Sequence, residues 1–383
     1  MVKKLAGQPR LIKEINKDLI KQVIKDKGPI SKPEIAGITK LSLPTVNKIV
    51  DYLVETNCVK ANGLGETGSG RKPVLYEINS SAGNVIALFF ENDYIRGAIS
   101  NIIGEILETE KVEIDLGSKE GALNSTCNII NRLMQGRENV KAIGIGVPGV
   151  VKPQGTIYSI PNITGWEGIN LKKMIQERYR IPIFIENDVN LIALGVYYRQ
   201  LKKKYSNVVY VYFGKGIGSG IIMDKKLYKG STNFAGEISY MVTQDLYPEQ
   251  LYEAKFKGLL EKEVSDIIKD IYQAESITNY NELKHKLADE EAAGETVGKL
   301  IRKVAFTLIN ITCVLNPEAI VVKGNFIYPE FIEKVKKIID NYLPRDIPKI
   351  LILEDEDAGL IGTINMCISN ISSNYLLLDS TGE

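Results

Sequence analysis

The residues with the most chemical potential in this chain are Glu186, Asn187 and Asp188. They end an apolar, strand-like run (Ile183–Glu186) and begin a helical pattern over 189–204. In α/β proteins that junction is where small polar ligands bind. An amide beside a carboxylate can hold vicinal hydroxyls. The same position also suits a helix N-cap at Asp188, so the local sequence leaves both readings open. A further carboxylate stands in Gly236-Glu237. Gly144-Ile-Gly-Val-Pro-Gly149 follows a strand-like run, and a tight loop there can offer backbone N–H groups. Gly214-Lys-Gly-Ile-Gly-Ser-Gly220 suits either a phosphate cradle or a glycine-rich β-turn. Pro161-Asn162, with the only tryptophan at Trp166, reads as a loop carrying one amide and one aromatic ring.

A second group lies near the N-terminus. Leu11, Ile12, Ile15, Leu19, Ile20, Val23 and Ile24 recur at helical spacing up to the breaker Lys27-Gly28-Pro29. Ser31 stands three residues before Glu34, a capping-box pattern for a second helix ending near Thr39. After the turn Thr39-Lys40-Leu41, Ser42 can cap a third helix with Val46, Ile49, Val50 and Leu53 facing inward. That succession predicts a helix-turn-helix, whose second helix enters the DNA major groove. Ser42, Leu43, Thr45, Asn47 and Lys48 then face the bases and phosphates, with Ser31 counted among the contacts. Two strand-like runs, Val59–Ala61 and Val74–Ile78, flank a glycine-rich loop tipped by Arg71 and Lys72, a basic wing. A small protein-binding helical bundle is the competing reading.

The elements behind these residues are those of two kinds of domain. The 383 residues carry a net charge of +1. Residues 1–80 hold 14 Lys/Arg against 8 Asp/Glu, a net of +6, and the rest hold 34 against 39, a net of −5. A basic head on an acidic body suits nucleic acid at the head. In the body, strand-like runs (Val85–Phe90, Ala142–Val147, Val208–Phe213, Ile217–Met223, Ala319–Lys323, Ile350–Leu353) alternate with helical stretches at 122–135, 169–179, 257–272 and 295–315. That alternation predicts an α/β fold, with an all-helical insertion near 253–295. Four scattered cysteines (Cys58, Cys127, Cys313, Cys367) without a CxxC pair, and one histidine, His285, argue against a Cys/His zinc site and against a Ser-His or Cys-His nucleophile. No signal peptide or apolar membrane span is evident, so a cytoplasmic protein is expected.

The order of these motifs resembles the ROK family (repressors, open reading frames, kinases), and within it the repressor branch typified by xylose repressors. The matching segments are IKEINKDLIKQVIKDKGPIS, GSGRKP, GIGVPG, PN with the following tryptophan, IENDVN, GKGIGSGII, KLYKGSTNFAGEI and LNPEAIVV. The resemblance implies a winged helix-turn-helix over 1–80, then a two-lobed actin/sugar-kinase-like body. The lobes are expected at 81–190 and 191–383, with a C-terminal helix that can return to the first. It carries sugar contacts over to Pro148, Gly149, Asn162, Asn187, Asp188, Glu237 and Tyr240, Asp188 being the general base in kinase members. The departures are equally informative. Phe89 and Glu91 stand where kinases have the Asp and Gly of a phosphate loop, and Asn325 replaces a glycine near the adenosine site. Phosphoryl transfer depends on positioning and charge neutralisation, so no catalysis is expected. Tyr240 replaces a zinc-binding histidine and no cysteine cluster follows, so neither metal nor cofactor is expected. The resulting expectation is a sugar-responsive repressor of carbohydrate genes, a homodimer or tetramer on palindromic operator DNA. A sugar kinase with an added DNA-binding domain, or a regulator with a protein effector, are the alternatives.

Overall fold

The computed structural model describes residues 9–65, 72–158, 163–243, 258–274, 282, 294–344 and 347–378. The chain begins with helix α1 (Pro9–Lys27), a two-residue strand β1 (Ile30–Ser31), and helices α2 (Lys32–Thr39) and α3 (Leu43–Glu55). Strands β2 (Val59–Leu64) and β3 (Val74–Ile78) complete a small sheet of order β1-β3-β2. Its core is Ile20, Val23, Ile24, Ile35, Val46, Ile49, Val50, Leu53 and Val59. All four α3 positions expected to face inward are buried. Half of the α1 stripe is not. Ile12 and Ile15 are more than half exposed and Leu19 is 40 % exposed, whereas Lys13 and Lys17 of the same turns lie over the Tyr52 ring of α3. The side chain of Leu11 lies outside the described residues.

The body holds two five-stranded sheets built on one plan. In the first, β4 (Asn84–Glu91), β5 (Tyr94–Asn101) and β6 (Ile106–Glu113) form an antiparallel meander. After α4 (Lys119–Met134), β7 (Val140–Val147) joins β4 in parallel, and β10 (Ile183–Asn187) joins β7. A small hairpin, β8 (Val150–Val151) and β9 (Ile157–Tyr158), and helix α5 (Leu171–Gln176) lie between these two strands in sequence. The second sheet repeats the scheme. β11 (Val208–Phe213), β12 (Ile217–Met223) and β13 (Lys226–Tyr228) meander, and β14 (Ala319–Gly324) and β15 (Lys349–Leu351) add in parallel beyond β11. This duplicated order, β10-β7-β4-β5-β6 against β13-β12-β11-β14-β15, is the actin/sugar-kinase-like α/β architecture.

Two helices separate the sheets: α6 (Asp188–Val196) and the C-terminal α10 (Ala358–Leu378). β4 is apolar on both faces because both are covered. Ile86, Leu88 and Phe90 pack toward α4, whereas Val85, Ala87 and Phe89 pack toward α6 and α10. The second sheet is backed by α7 (Leu259–Ala274), α8 (Glu295–Leu315) and α9 (Pro329–Tyr342). Glycines let α6 and α10 touch backbone to backbone. A Cβ on Gly362 would stand 1.8 Å from the Leu191 carbonyl oxygen, and one on Gly195 would stand 1.9 Å from that of Ala358.

Several expectations change here. β5, β6, β13 and α9 have no counterpart among the expected strands and helical stretches. β6 (ILETEKVE) is an edge strand, most of it exposed, so its apolar alternation is weak. The expected 189–204 helix is regular only to Val196 and then widens into a π turn over Tyr197–Leu201. Of the 253–295 insertion, α7 is described, but residues 253–257, 275–281 and 283–293, including His285, lie outside the described residues.

Candidate functional site

The junction of β10 and α6 is held by Asn187, not Asp188. Asn187 is the N-cap, its Oδ1 accepting from the Asn190 N–H at 3.0 Å. Its amide donates to the Gly149 carbonyl (2.9 Å) and to Asp188 Oδ1 (3.0 Å). Asn187 therefore ties the loop after β7 to the start of α6. Asp188 occupies the first helical position and also accepts from the Val189 N–H at 2.8 Å. Both bonds end on Oδ1. Burial pushes the Asp188 carboxyl up to about 6, against the hydrogen bonds that lower it.

Glu237 approaches from the second sheet. Gly236 (φ +98°) takes the Ser219 N–H (2.8 Å) and hydroxyl (3.0 Å) on its carbonyl. A Cβ there would stand 2.1 Å from the Ser219 carbonyl oxygen, so glycine is required. This pins Glu237 beside β12. Its carboxyl is pushed up to about 7 by burial first, then by the charges of Asp188 and Glu261. Tyr240 is raised by burial, then by Glu237 and Glu261. Its ring lies 5.4 Å from that of Phe234. Asp188, Glu237 and Tyr240 thus share one electrostatic environment, with Pro148 and Gly149 fastened to it through Asn187. Glu261 is an addition that sequence reasoning missed. It enters from α7, accepts from the Ile217 N–H at 3.0 Å, and sits in KGLLEKE, which carries no motif. Asn162 and Pro161 lie outside the described residues.

The two halves of the body also meet here. Lys229 reaches buried Glu186 at 2.7 Å, and the Asn233 amide donates to the Val151 carbonyl at 3.0 Å. Lys215 donates to Asn92 at 3.1 Å. The segment leading to Glu237 and the β11–β12 turn are thus each tied to the first half.

Other motifs have packing roles. Trp166 is fully buried, donates to the Lys119 carbonyl and packs on Phe90, so it belongs to the core and not to a ligand loop. Gly144 and Gly146 lie inside β7, where a Cβ would meet Cys367 and Leu191 respectively. Gly220 in β12 leaves room for Ala193 of α6. Of the glycines in these stretches only Gly149 (φ +92°) takes a left-handed conformation. The Phe89 ring is buried between Gly146 and Gly359. Glu91 is not a bare charge: it accepts from the Tyr94 hydroxyl and from Arg96, which also pairs with Asp357.

In the head, Ser42 caps α3 and its hydroxyl lies 2.8 Å from that of Thr45. Ser42, Leu43 and Lys48 are exposed, and Thr45 and Asn47 are half-buried, all on the first turns of α3. Lys40 in a left-handed conformation turns the chain between α2 and α3. Lys72 is exposed beside β3, and Arg71 lies outside the described residues. Ser31 departs from expectation. It is buried, and its N–H and hydroxyl both donate to Glu34, which holds that carboxyl below its usual range. Its role is to fix the start of α2, because no group on it is free to reach DNA.

A model of the ROK family matches residues 87–369. The chain is 28 % identical to the xylose repressor of Caldicellulosiruptor bescii, over 96 % of this chain and 98 % of that one. It is 29 % identical to the xylose repressor of Bacillus subtilis, over 82 % and 83 %. Among solved structures it is similar to a ROK family transcriptional regulator, a homologue of the E. coli MLC protein. There the TM-score is 0.78 at 20 % identity, covering 96 % of this chain and 98 % of that one.

Proposed function

The chain belongs to the ROK family, and on that premise we propose that it is a sugar-responsive transcriptional repressor of carbohydrate uptake or catabolism genes, without kinase activity. The observation that carries this reading is a contrast between two sets of positions. Asn187, Asp188 and Glu237 keep the groups that bind hydroxyls, while the Phe89 ring fills the position of a phosphate-organising carboxylate. A site of that kind binds sugar and does no phosphoryl transfer.

In this reading residues 1–80 are a winged helix-turn-helix and the two lobes are 81–190 and 191–383, with α10 returning to the first. α3 presents Ser42, Leu43, Thr45, Asn47 and Lys48 to the major groove, and Arg71 and Lys72 form the wing. Two chains grip the half-sites of a palindromic operator, about one helical turn (~34 Å) apart or a multiple of it. Sugar at Pro148, Gly149, Asn162, Asn187, Asp188, Glu237 and Tyr240 favours one arrangement of the lobes. It alters DNA affinity only through its unequal affinity for the two arrangements. The repressor works in the cytoplasm, and no helix among the described residues is long and apolar enough to cross a membrane.

The test is selection of a duplex from a random-sequence library by the full chain, followed by titration of pentoses and hexoses, xylose first, into the complex. An inverted repeat that is released by one sugar supports the reading. A chain that selects no sequence, or a complex that no sugar shifts, refutes it, as does phosphorylation of any sugar above a protein-free control.

A further inference from the structure

We propose that Asn79 and Asn139 are positioning residues that lock the head to the first half of the body, so that the shape of the body, and not a flexible tether, sets the separation at which two heads read DNA. The proposal rests on the DNA-binding reading above.

Only the five residues from Asn79 to Gly83 separate β3, the last strand of the head, from β4, the central strand of the first sheet. Both strands are paired up to those residues. Ile78 pairs with Val59, and Asn84 pairs with Asn101 on one side and Val140 on the other. Asn79 fastens the connection to the head. Its N–H donates to the Cys58 carbonyl (3.0 Å), and its amide donates to the Asn57 carbonyl (3.2 Å) and to Asn57 Oδ1 (2.7 Å). Its Oδ1 accepts from the Ser81 N–H (3.3 Å) and hydroxyl (2.8 Å), and its carbonyl accepts from the Ala82 N–H (3.0 Å). Asn79 is 5 % exposed, so these bonds are shielded from water. Asn139 fastens the other end to the body. Its amide donates to the Ala82 carbonyl at 2.7 Å, and its carbonyl accepts from the Asn84 N–H at 3.1 Å. It does so from a left-handed conformation (φ +70°) just before β7. Buried Gly83 lies close against the start of β7, where a Cβ would stand 2.6 Å from Lys141 Cγ.

Magnitudes separate a lock from a tether. Five flexible residues would span about 12 Å root mean square. One base pair added between two half-sites moves the second by ~3.4 Å and turns it by about 35°. A tether of that reach absorbs the change. A connection bonded at Asn79, Ser81, Ala82 and Asn84 does not, because following the second half-site would break bonds to Asn57 or to Asn139. Asn139 also precedes β7, whose far end leads to Pro148 and Gly149 and their tie to Asn187. The head therefore follows the half of the body that holds those residues.

The experiment compares the full-length parent with Asn79→Ala, Asn139→Gly and a Gly-Ser-Gly-Ser insertion between Ser81 and Ala82. Glycine at 139 keeps the left-handed backbone and removes only the amide. The insertion leaves both asparagines in place and loosens the turn between them. The probes are the duplex selected by the parent, its single half-site, and the same duplex with the half-sites moved together or apart by one and two base pairs. The parent should lose about 100-fold or more in affinity on the altered spacings, as simultaneous engagement of two heads is lost. The insertion variant should bind all the spacings within about threefold of one another, and more weakly than the parent at the selected one. Asn79→Ala and Asn139→Gly should flatten the spacing preference in the same direction. Affinity for the single half-site should stay at the parent's value in the insertion and Asn139→Gly chains, a split that a general loss of stability would not produce. Asn139 lies in the body, so that variant reads the proposal even if Asn79→Ala unfolds the head. Nitrogen-15 relaxation of the chain without DNA should give the parent's head amides the correlation time of the body, and the insertion variant's a shorter one. A parent head that tumbles apart from the body overturns the proposal, as does an insertion variant that keeps the parent's spacing preference. A parent that binds no duplex refutes instead the DNA-binding reading, and the relaxation measurement still decides whether the head is locked.

Discussion

Asp188→Asn should make the ligand-free chain more stable at neutral pH while removing its response to sugar. An unfolded Asp titrates near 3.8, whereas half-buried Asp188 is raised to about 6. The native state therefore holds its proton more tightly than the unfolded state does. Stability from this group is unaffected below about pH 3.8, falls as pH rises toward 6, and carries its full penalty above that. The gap corresponds to about 3 kcal/mol at ~1.4 kcal/mol per pH unit. Asparagine removes the penalty and keeps the shape, because its Oδ1 can still accept from the Asn187 amide and the Val189 N–H. Glu237 should respond as well. It is raised to about 7 partly by the Asp188 charge, so its midpoint should move down when that charge is removed. Urea unfolding of parent and variant between pH 4.5 and 8 reads both effects. The curves should stand about 1 kcal/mol apart at pH 4.5 and separate to ~3 kcal/mol at pH 8. A sugar hydroxyl loses its charged acceptor, costing about 1.5–3 kcal/mol, or roughly 10- to 150-fold in affinity. Parallel pH profiles, with no stability gained at pH 8, would refute the burial argument. Unchanged sugar affinity would remove Asp188 from the binding site.

The remaining predictions concern packing and recognition. Phe89→Ala, emptying the space between Gly146 and Gly359, should cost about 3–5 kcal/mol in denaturant unfolding without any ATP-dependent sugar phosphorylation appearing. Gly362→Ala forces a methyl group against the Leu191 carbonyl and should cost about 1–3 kcal/mol, measurable as a lowered melting temperature. Ser31→Ala breaks the capping box and should lower head stability by about 1 kcal/mol. At equal folded fraction its DNA affinity should stay near the parent's, because Ser31 is buried. Arg71→Ala should weaken binding to every duplex and flatten its salt dependence, whereas Asn47→Ala should mainly relax base preference, as a competition assay with mutated half-sites would show.

What could be read from the sequence is what local chemistry decides. The Ser31–Glu34 box and the Ser42 cap announce α2 and α3 because a side chain and a backbone N–H three residues away settle the matter between themselves. The apolar runs of β4, β7, β11 and β14 declare strands covered on both faces. The ordered motifs from GIGVPG to KGSTNFAGEI point to the family and to Asn187, Asp188 and Glu237. Only the tertiary structure decides what each residue type is used for. Ser31 is a cap and not a DNA contact because the core of the head encloses it. Asn187, not Asp188, caps α6. Gly144, Gly146 and Gly220 serve packing at the interfaces of α6 and α10, since the helices come too near for a Cβ. Glu261 joins these carboxylates from 24 residues beyond Glu237, and burial around them, which no spacing encodes, raises Asp188 and Glu237 toward neutral pH. Such contacts join residues far apart in the chain, and their geometry exists only once the two sheets close on α6 and α10.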